Sequence, residues 1–379
     1  MKMPDSFLEM VAFGVTTNRA KFLERRAKDH SVLALRAITV TAAIGLALLT
    51  ASSSSAQSPP PNLPLLKRMA LVGRQQIHNS HLSVPTVTLD NLANAEYVDI
   101  YGLAAYGIND WGVAVGENCY VTAACEQAVG GTGPFLFANG NYKVLTFPAT
   151  VIGAYPSGIN LLGQIVGVYF DTSFTIHGFV LDGSHFRSID APGTAPTGFL
   201  GTYTSGINTQ GDLVGQYFDH NNNAHDFVIK DGVFQPFTLP IADSVYDSPN
   251  GINDRGDIVG YFQDKLGNTH GYLLSHGVAQ VIDFPGSQFT QAWGINFEGD
   301  IVGSYSVPVT TNPYTNTYSY GFLLHRGAFS TVNPPGGSSA FSGADTIAFG
   351  INDFGEIVGV YQRATSGGSA QLTGFLRKW

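Results

Sequence analysis

Charge, cysteine and long apolar runs are all scarce in this sequence. Only 12% of the 379 residues are charged, whereas 44% are hydrophobic and 45 residues are glycine. A chain of this composition can bury a large core, which excludes a disordered protein. The many glycines and aromatic residues predict numerous turns that join aromatic-rich strands.

Signatures of the common enzyme classes are also absent. There is no G-x-S-x-G, H-E-x-x-H, P-loop or C-x-x-C motif, and the Ser-x-Asp-x-Gly-x-Thr box of sialidase propellers is missing. A catalytic pair of carboxylates that cleaves glycosidic bonds stays an alternative. Asp110, Asp254 and Asp353 are weak candidates for it, because all three occupy the same turn of a repeated unit.

Residues 1–56 have the pattern of an export leader. Arg36 precedes the apolar run Ala37–Leu49, and the Ser-Ser-Ala at 54–56 fits a signal-peptidase site. The run has about 13 residues, whereas a membrane span needs about 20. We therefore expect a secreted or periplasmic protein without stable membrane insertion after processing. A stiff, proline-rich linker follows over 57–83.

The balance of charge excludes two classes of partner. Without residues 1–56 the chain has 12 Lys and Arg against 24 Asp and Glu, a formal net charge of −12. A surface of this sign repels nucleic acid and anionic membranes. Neither is expected as a partner.

Only two cysteines are present, Cys119 and Cys125, in the stretch CYVTAAC. Two neighbouring cysteines in an exported chain usually pair, so we expect a disulfide between them. The stretch holds too few ligands for a metal site, and no cofactor is expected.

One unit recurs six times along the chain. The triplet Gly-Ile-Asn begins at residues 107, 158, 206, 251, 294 and 350, at spacings of 43 to 56 residues. A second glycine follows five residues after the first, and a third four residues later. An apolar signature such as HGFVL or HGYLL comes next, and five copies end in a mixed stretch such as FRSIDAPG.

Each copy predicts four short strands. The first ends at Gly-Ile-Asn, a tight Asn-x-x-Gly turn follows, and the second strand is apolar on both faces, as in DIVGYF. A sheet that is apolar on both faces needs cover on both sides. The fold class that satisfies this pattern is an all-β, six-bladed β-propeller of four-stranded antiparallel blades over residues 84–379.

The sixth copy stops after its third strand. The segment Val84–Leu92, VPTVTLDNL, resembles the fourth strand of other copies. We expect this N-terminal strand to join the last blade and so to close the ring.

The pattern GIN…GDIVG…HGF resembles the HAF-type extracellular repeat family of exported bacterial proteins. The resemblance covers nearly all of 84–379. It implies export and a repeat architecture, and it implies no established activity.

Several residues suggest chemistry that the repeat explains better. His177, His225 and His270 open the third strand of the copies with short hairpins, which predicts hydrogen bonds that close a turn rather than a metal cluster. The RGD at 255–257 is one version of the repeat turn. The stretch DHNNNAHD at 219–226 lacks the glycine and closing Glu of a calcium loop, so a polar hairpin is expected.

The longest hairpins between the second and third strands belong to copies 1, 5 and 6, which are neighbours in a closed ring. Function usually lies on such loops. The candidate ligand-binding residues, rich in tyrosine and amide groups, are Asn312, Tyr314, Tyr318 and Tyr320 of copy 5 and Arg363 of copy 6.

We therefore predict a monomeric, non-catalytic binding propeller whose partner is a glycan or an extracellular protein. The alternative is an extracellular polysaccharide hydrolase or lyase on the same scaffold. Carboxylates near the mouth of the central channel would favour the enzyme, and an aromatic shelf would favour binding.

Overall fold

The structure is a computed structural model that describes residues 95–100, 104–117, 133–194, 200–308, 317–335, 346–364 and 370–378. These residues form strands and turns without a helix, so no helix in the described part is long and apolar enough to cross a membrane.

The described residues form 24 strands. In chain order they are β1 (Glu96–Ile100), β2 (Ala104–Ile108), β3 (Ala114–Glu117), β4 (Pro134–Ala138), β5 (Asn141–Val144), β6 (Val151–Ile159), β7 (Gln164–Asp171), β8 (Ile176–Asp182), β9 (His185–Ile189), β10 (Thr202–Ile207), β11 (Leu213–Phe218), β12 (Ala224–Lys230), β13 (Val233–Phe237), β14 (Ser244–Ile252), β15 (Ile258–Asp264), β16 (Thr269–Ser275), β17 (Val278–Ile282), β18 (Phe289–Ile295), β19 (Ile301–Pro308), β20 (Thr317–His325), β21 (Ala328–Val332), β22 (Thr346–Ile351), β23 (Ile357–Ala364) and β24 (Ala370–Lys378).

The repeat copies fold as four-stranded antiparallel meanders. Copies 1, 2 and 3 form the sheets β2-β3-β4-β5, β6-β7-β8-β9 and β10-β11-β12-β13. Copies 4 and 5, β14 to β17 and β18 to β21, form one larger sheet through a single parallel bridge between Thr269 and Phe289. The expectation of an all-β protein with a propeller arrangement is confirmed.

The three strands of copy 6 are joined by a strand from the start of the described chain. The sheet order is β1-β24-β23-β22, and β1 runs antiparallel to β24 with Ile100 opposite Gly374. The predicted segment Val84–Leu92 lies outside the described residues. The strand beside β24 is Glu96–Ile100 instead. The physical reason is that Ile100 occupies the place that Ile189 takes opposite Gly178 in copy 2.

The sheets pack face to face through apolar side chains, as strands that are apolar on both faces require. One buried cluster, for example, combines Val259 of copy 4 with Ile301 and Phe322 of copy 5. Another joins Ala114 and Phe135 of copy 1 to Val358 of copy 6. The core is thus a series of layers between neighbouring sheets rather than one central cluster.

In five of the six copies the first repeat glycine is needed for close approach of the inner strands. A Cβ on Gly107 would lie 2.9 Å from the Cα of Gly158, and a Cβ on Gly350 would lie 3.1 Å from the Cα of Gly107. The second glycine has positive φ, as the turn predicts, for example +82° at Gly256. A Cβ on the third glycine would meet the backbone of the first strand, as at Gly260.

The six asparagines of the Gly-Ile-Asn triplets connect the sheets. The Oδ1 of Asn109 accepts the backbone N–H groups of Trp111 and Val113, which closes its own turn. The Nδ2 of every asparagine donates to the backbone carbonyl of the next: Asn109 to Asn160 at 3.1 Å, Asn160 to Asn208 at 2.8 Å, Asn208 to Asn253 at 3.2 Å, Asn253 to Asn296 at 3.1 Å, Asn296 to Asn352 at 3.2 Å, and Asn352 to Asn109 at 3.1 Å.

Candidate functional site

Every innermost strand carries a β-bulge directly before its repeat glycine. In copy 1, Ala105 pairs with Gly116 and Gly107 pairs with Val115, so Tyr106 is the extra residue of the bulge. The register shifts at the same place in the other five copies. A bulge re-aims the side chain of its extra residue, and bulges are frequent beside functional sites.

The bulge tier is the set of these six extra residues. They come from equivalent positions of the six inner strands, and all are half-buried, whereas most of their strand neighbours are fully buried. The members are Tyr106, Ser157, Ser205, Asn250, Trp293 and Phe349.

The bulge tier has two chemically different halves. Copies 1, 6 and 5 contribute the aromatic half: the ring of Phe349 lies 5.0 Å from Tyr106 and 5.3 Å from Trp293. Copies 2, 3 and 4 contribute two hydroxyls and one amide. Ser157 Oγ donates to the carbonyl of Thr204, and Asn250 Nδ2 donates to that of Ala292. One side therefore offers apolar ring faces and the other offers small polar groups.

The ring contacts of the aromatic half continue into copy 4. Tyr261 lies 6.1 Å from Trp293, and Tyr246 lies 6.1 Å from Tyr261. The hydroxyl of Tyr246 donates to Gln216 Oε1 at 3.1 Å. Five rings thus form a continuous arc across four copies, and the polar ends of the outer rings are held by hydrogen bonds.

A carboxyl group anchors the other end of the arc. Tyr106 donates its hydroxyl to Glu117 Oε1 at 2.8 Å, and Glu117 Oε2 has no hydrogen-bond partner within the described chain. Burial raises the pKa of Glu117 to about 7, an effect that the Tyr106 hydrogen bond opposes in part. Glu117 can therefore be neutral or ionised near neutral pH.

A second set of acids lies at the asparagine turns. Asp353 Oδ1 accepts the backbone N–H of Phe297, and Asp110 Oδ1 accepts that of Asp353. Burial and the neighbouring Asp110 raise the pKa of Asp353 to about 7. The cavity here has a volume of about 80 Å³, which is room for several waters, and the asparagine turns of all six copies line it. These acids link turns between copies, as their repeated position predicts.

The predicted loop residues are only partly described. Asn312 and Tyr314 lie outside the described residues, as do Cys119 and Cys125 with their predicted disulfide. Tyr318 lies in β20, opposite Val307 of β19. These predictions stay open.

The two predicted ligand-binding residues whose side chains are described contact different partners. Tyr320 is half-buried and stacks on Tyr305 with ring centroids 5.5 Å apart. Arg363 forms an ion pair with Asp99 of β1, and Tyr361 donates a hydrogen bond to the same carboxylate. Arg363 thereby helps to hold the N-terminal strand.

The histidines act as turn-closing residues, as predicted. His177 lies 3.5 Å from Asp171 of its hairpin turn, and it also contacts Asp190 at 2.6 Å and stacks on Tyr169. His225 contacts Asp219, whose carboxylate also accepts backbone N–H groups of the 219–223 turn. Among the described residues no group of three or more His, Cys, Asp or Glu side chains is arranged to hold a metal ion.

The RGD tripeptide also belongs to a repeat turn. Arg255 pairs with Asp257 at 3.0 Å and lies over the ring of Phe297. Asp257 is buried and accepts a hydrogen bond from Asn253. Its carboxylate is therefore engaged inside the turn.

Sequence reasoning missed the bulge tier. The residue before each repeat glycine has no consensus across copies: it is Tyr, Ser, Ser, Asn, Trp and Phe. That variation at a fixed place in a regular repeat is a signal of function, because a scaffold position without a consensus is free to carry it.

No family model matches the chain, and no curated protein matches it. Solved structures with a similar arrangement include a protein of unknown function from Dyadobacter fermentans, 13% identical, with a TM-score of 0.45 over 75% of this chain and 98% of that one. The fucose-specific lectin of Aleuria aurantia is 12% identical, with a TM-score of 0.40 over 73% and 93%. The Trypanosoma rangeli sialidase is 10% identical, with a TM-score of 0.41 over 74% and 55%. Such identities transfer no activity to this chain.

Proposed function

We propose that the chain forms a closed, six-bladed propeller that binds carbohydrate in its central channel. The ring is supported by the circle of asparagine hydrogen bonds, in which Asn352 returns to Asn109. It is supported equally by the glycines, because Gly350 approaches Gly107 as closely as other neighbours approach one another. In this ring β1 supplies the fourth strand of blade 6.

The single observation that carries carbohydrate binding is the division of the bulge tier. A sugar ring has apolar C–H faces and hydroxyl groups at its edge. Binding sites combine an apolar wall with a few placed polar groups. Trp293 and Phe349 offer the wall, and Ser205 and Asn250 offer hydroxyl and amide groups on the other half.

The binding mode follows from the anchored rings. Because Tyr106 is fixed by Glu117 and Trp293 Nε1 donates to Ser304 Oγ at 3.3 Å, these two rings lose little freedom when a ligand arrives. Preorganised groups bind more tightly because less ordering is needed on binding. The ligand we propose is a neutral saccharide end or short chain.

The hairpins of copies 1, 5 and 6 belong to this proposal as the rim of the site. The aromatic residues Tyr106, Trp293 and Phe349 come from the same three copies. The proposal also includes export, a monomeric state and membership of the HAF-type repeats. Export would bring the protein into contact with extracellular glycans.

A glycan array probed with the full chain tests this function. We expect binding by the parent and loss of binding by Trp293→Ala and by Phe349→Ala. Phe354→Ala is the matched control, because Phe354 is an exposed aromatic residue on an asparagine turn and makes no described ring contact. Absence of any glycan signal, or equal signals from Trp293→Ala and the control, would overturn the proposal.

The second candidate is a polysaccharide hydrolase or lyase, favoured by Glu117. A carboxyl group with a pKa of about 7 at the end of an aromatic arc suits general acid or base catalysis at neutral pH. The test is release of new chain ends from any polysaccharide that binds. Glu117→Gln would abolish release and keep binding if the protein is an enzyme, whereas no release by the parent would leave a binding protein.

A further inference from the structure

The six asparagine turns form one surface of the molecule, which we call the turn face. Each turn spans the five residues that begin with the Asn of a Gly-Ile-Asn triplet, and the turns of all six copies line one cavity. Phe297 of copy 5 is 45% exposed on this face, and Phe354 of copy 6 is 55% exposed. Trp111 of copy 1 is half-buried there. The described chain therefore leaves aromatic surface of three neighbouring copies open to solvent.

The turn face is also strongly acidic. The six turns together contain eight Asp and Glu residues and one basic residue, Arg255. Arg255 pairs with Asp257 of its own turn. Asp110 and Asp353 belong to the same turns as Trp111 and Phe354, and no Lys, Arg or His of the described residues acts on either carboxylate. A basic partner would therefore meet unpaired negative charge beside the aromatic residues.

The chain enters the described structure at the turn face. β1 starts at Glu96, which lies opposite Lys378 at the end of β24. The neighbouring Arg377 lies opposite Ile357, the residue that follows the asparagine turn of copy 6. The start of β1 and this turn therefore share one end of the sheet. β1 lies three strand spacings, about 15 Å, from the innermost strand β22.

The chain before β1 contains a segment of complementary chemistry. Residues 65–74, LLKRMALVGR, lie outside the described residues and belong to the predicted linker. They include five Leu, Met and Val residues, no acid, and the bases Lys67, Arg68 and Arg74. Arg74 precedes Glu96 by 22 positions, and 22 residues can span up to about 70 Å. The segment can therefore reach every part of the turn face.

We propose that segment 65–74 docks on the turn face of its own chain. Its apolar side chains would contact Phe297 and Phe354, and its basic side chains would face Asp110 and Asp353. Burial of apolar surface supplies the attraction, and opposite charge selects the orientation. The short tether to β1 keeps the segment at high effective concentration, so contacts too weak to hold a separate peptide suffice. This docking is independent of the proposed carbohydrate site on the bulge tier.

Limited trypsin digestion of the full-length protein tests the docking, because trypsin cuts after Lys67, Arg68 and Arg74. We expect cleavage after Arg74 to be at least about tenfold slower in the folded protein than in a synthetic peptide of residues 60–80. Phe354→Ser should raise the rate in the protein by about fivefold or more. Potassium chloride at about 1 M should raise it relative to the peptide, because salt screens the charges.

Phe174→Ser is the matched control for the aromatic contact. Phe174 is 53% exposed, close to the 55% of Phe354, and it lies on the hairpin between β7 and β8, at the sheet end away from the asparagine turns. It should leave the cleavage rate unchanged. Phe297→Ser is a second test variant in case Phe354→Ser fails to fold, which circular dichroism checks.

A second pair of variants tests the charge. Arg68→Glu should speed cleavage after Arg74, whereas Lys265→Glu, at an exposed base of copy 4, should not. Equal rates in Phe354→Ser and Phe174→Ser, or a parent that is cut as fast as the peptide, would overturn the proposal. Protection that grows with protein concentration would place the segment on a second copy and would overturn docking within one chain.

Discussion

The side-chain amide of Asn352 donates to the backbone carbonyl of Asn109, a residue 243 positions earlier in the chain, at 3.1 Å. The same asparagine accepts the backbone N–H groups of Phe354 and Glu356 through Oδ1. One buried side chain therefore closes its own turn and connects the last repeat copy to the first.

Asn352→Ala should cost about 2–3 kcal/mol of unfolding free energy, because it removes the contact to Asn109 and leaves buried backbone groups unsatisfied. Denaturant unfolding measures the change. Asn141→Ala is the control, since Asn141 is exposed and bonds only to Asn139, and it should change stability by less than about 0.5 kcal/mol. Equal effects of the two substitutions would contradict the role of Asn352.

The first glycines of the Gly-Ile-Asn triplets are not equally constrained. A Cβ on Gly294 would lie 2.7 Å from the carbonyl oxygen of Phe349, whereas a Cβ on Gly158 would find its nearest neighbour, Val166 Cγ2, at 3.5 Å. Gly294→Ala should therefore destabilise the protein by about 2 kcal/mol. Gly158→Ala should stay within about 0.5 kcal/mol of the parent.

Denaturant unfolding of these two variants, side by side, checks the contrast. Both sites share a triplet position and a chemical change, so intrinsic differences between glycine and alanine cancel. If Gly158→Ala were as damaging as Gly294→Ala, the spacing of the inner strands would not be the cause.

Glu117 makes stability depend on pH. Its pKa is about 7 in the folded protein against an ordinary value of 4.5, so between these values the folded state holds a proton that the unfolded state has lost. Stability should therefore fall as pH rises from about 5 to about 8, by about 2 kcal/mol for this group.

The measurement is the unfolding free energy of the parent minus that of Glu117→Gln at both pH values. The glutamine cannot ionise, so subtraction removes the other titrating acids. A difference that is constant with pH would show that Glu117 keeps an ordinary pKa.

We expect the copy 5 hairpin and the bulge tier to contribute separately to the proposed carbohydrate binding. Tyr314→Ala with Tyr318→Ala should weaken glycan binding if the copy 5 hairpin forms the rim. Ser205→Ala should weaken it by a smaller factor than Trp293→Ala, because a large aromatic contact contributes more than one neutral hydroxyl. Calorimetric titration gives both affinities. A double loop variant with unchanged affinity would restrict the site to the channel.

Much of the fold could be predicted from the sequence because every copy of the repeat imposes the same constraints on its turn and strands. The Asn-x-x-Gly turn requires a glycine with positive φ, as at Gly256. Strands that are apolar on both faces require cover on both sides, as the buried Val259 shows. The sequence predicts the joining strand at Val84–Leu92, because that segment resembles the fourth strand of other copies, whereas the described strand beside β24 is Glu96–Ile100. The isoleucine opposite a glycine, Ile100 with Gly374, is the constraint that identifies it.

The candidate site followed from the sequence far less. The sequence does not predict that Tyr106 and Trp293 belong to one site, because a bulge, and not the strand pattern, sets the direction of their side chains. Packing between copies is a property that spacing along the chain does not contain.

The most direct test of carbohydrate binding uses Trp293 as its own reporter. In a protein with Trp111→Phe and Trp379→Phe, Trp293 is the only tryptophan of the chain. Titration with a saccharide that binds in the array should change the Trp293 emission in a saturable way, with the same Kd that calorimetry gives. Binding in the calorimeter without any change in Trp293 emission would contradict a site in the bulge tier.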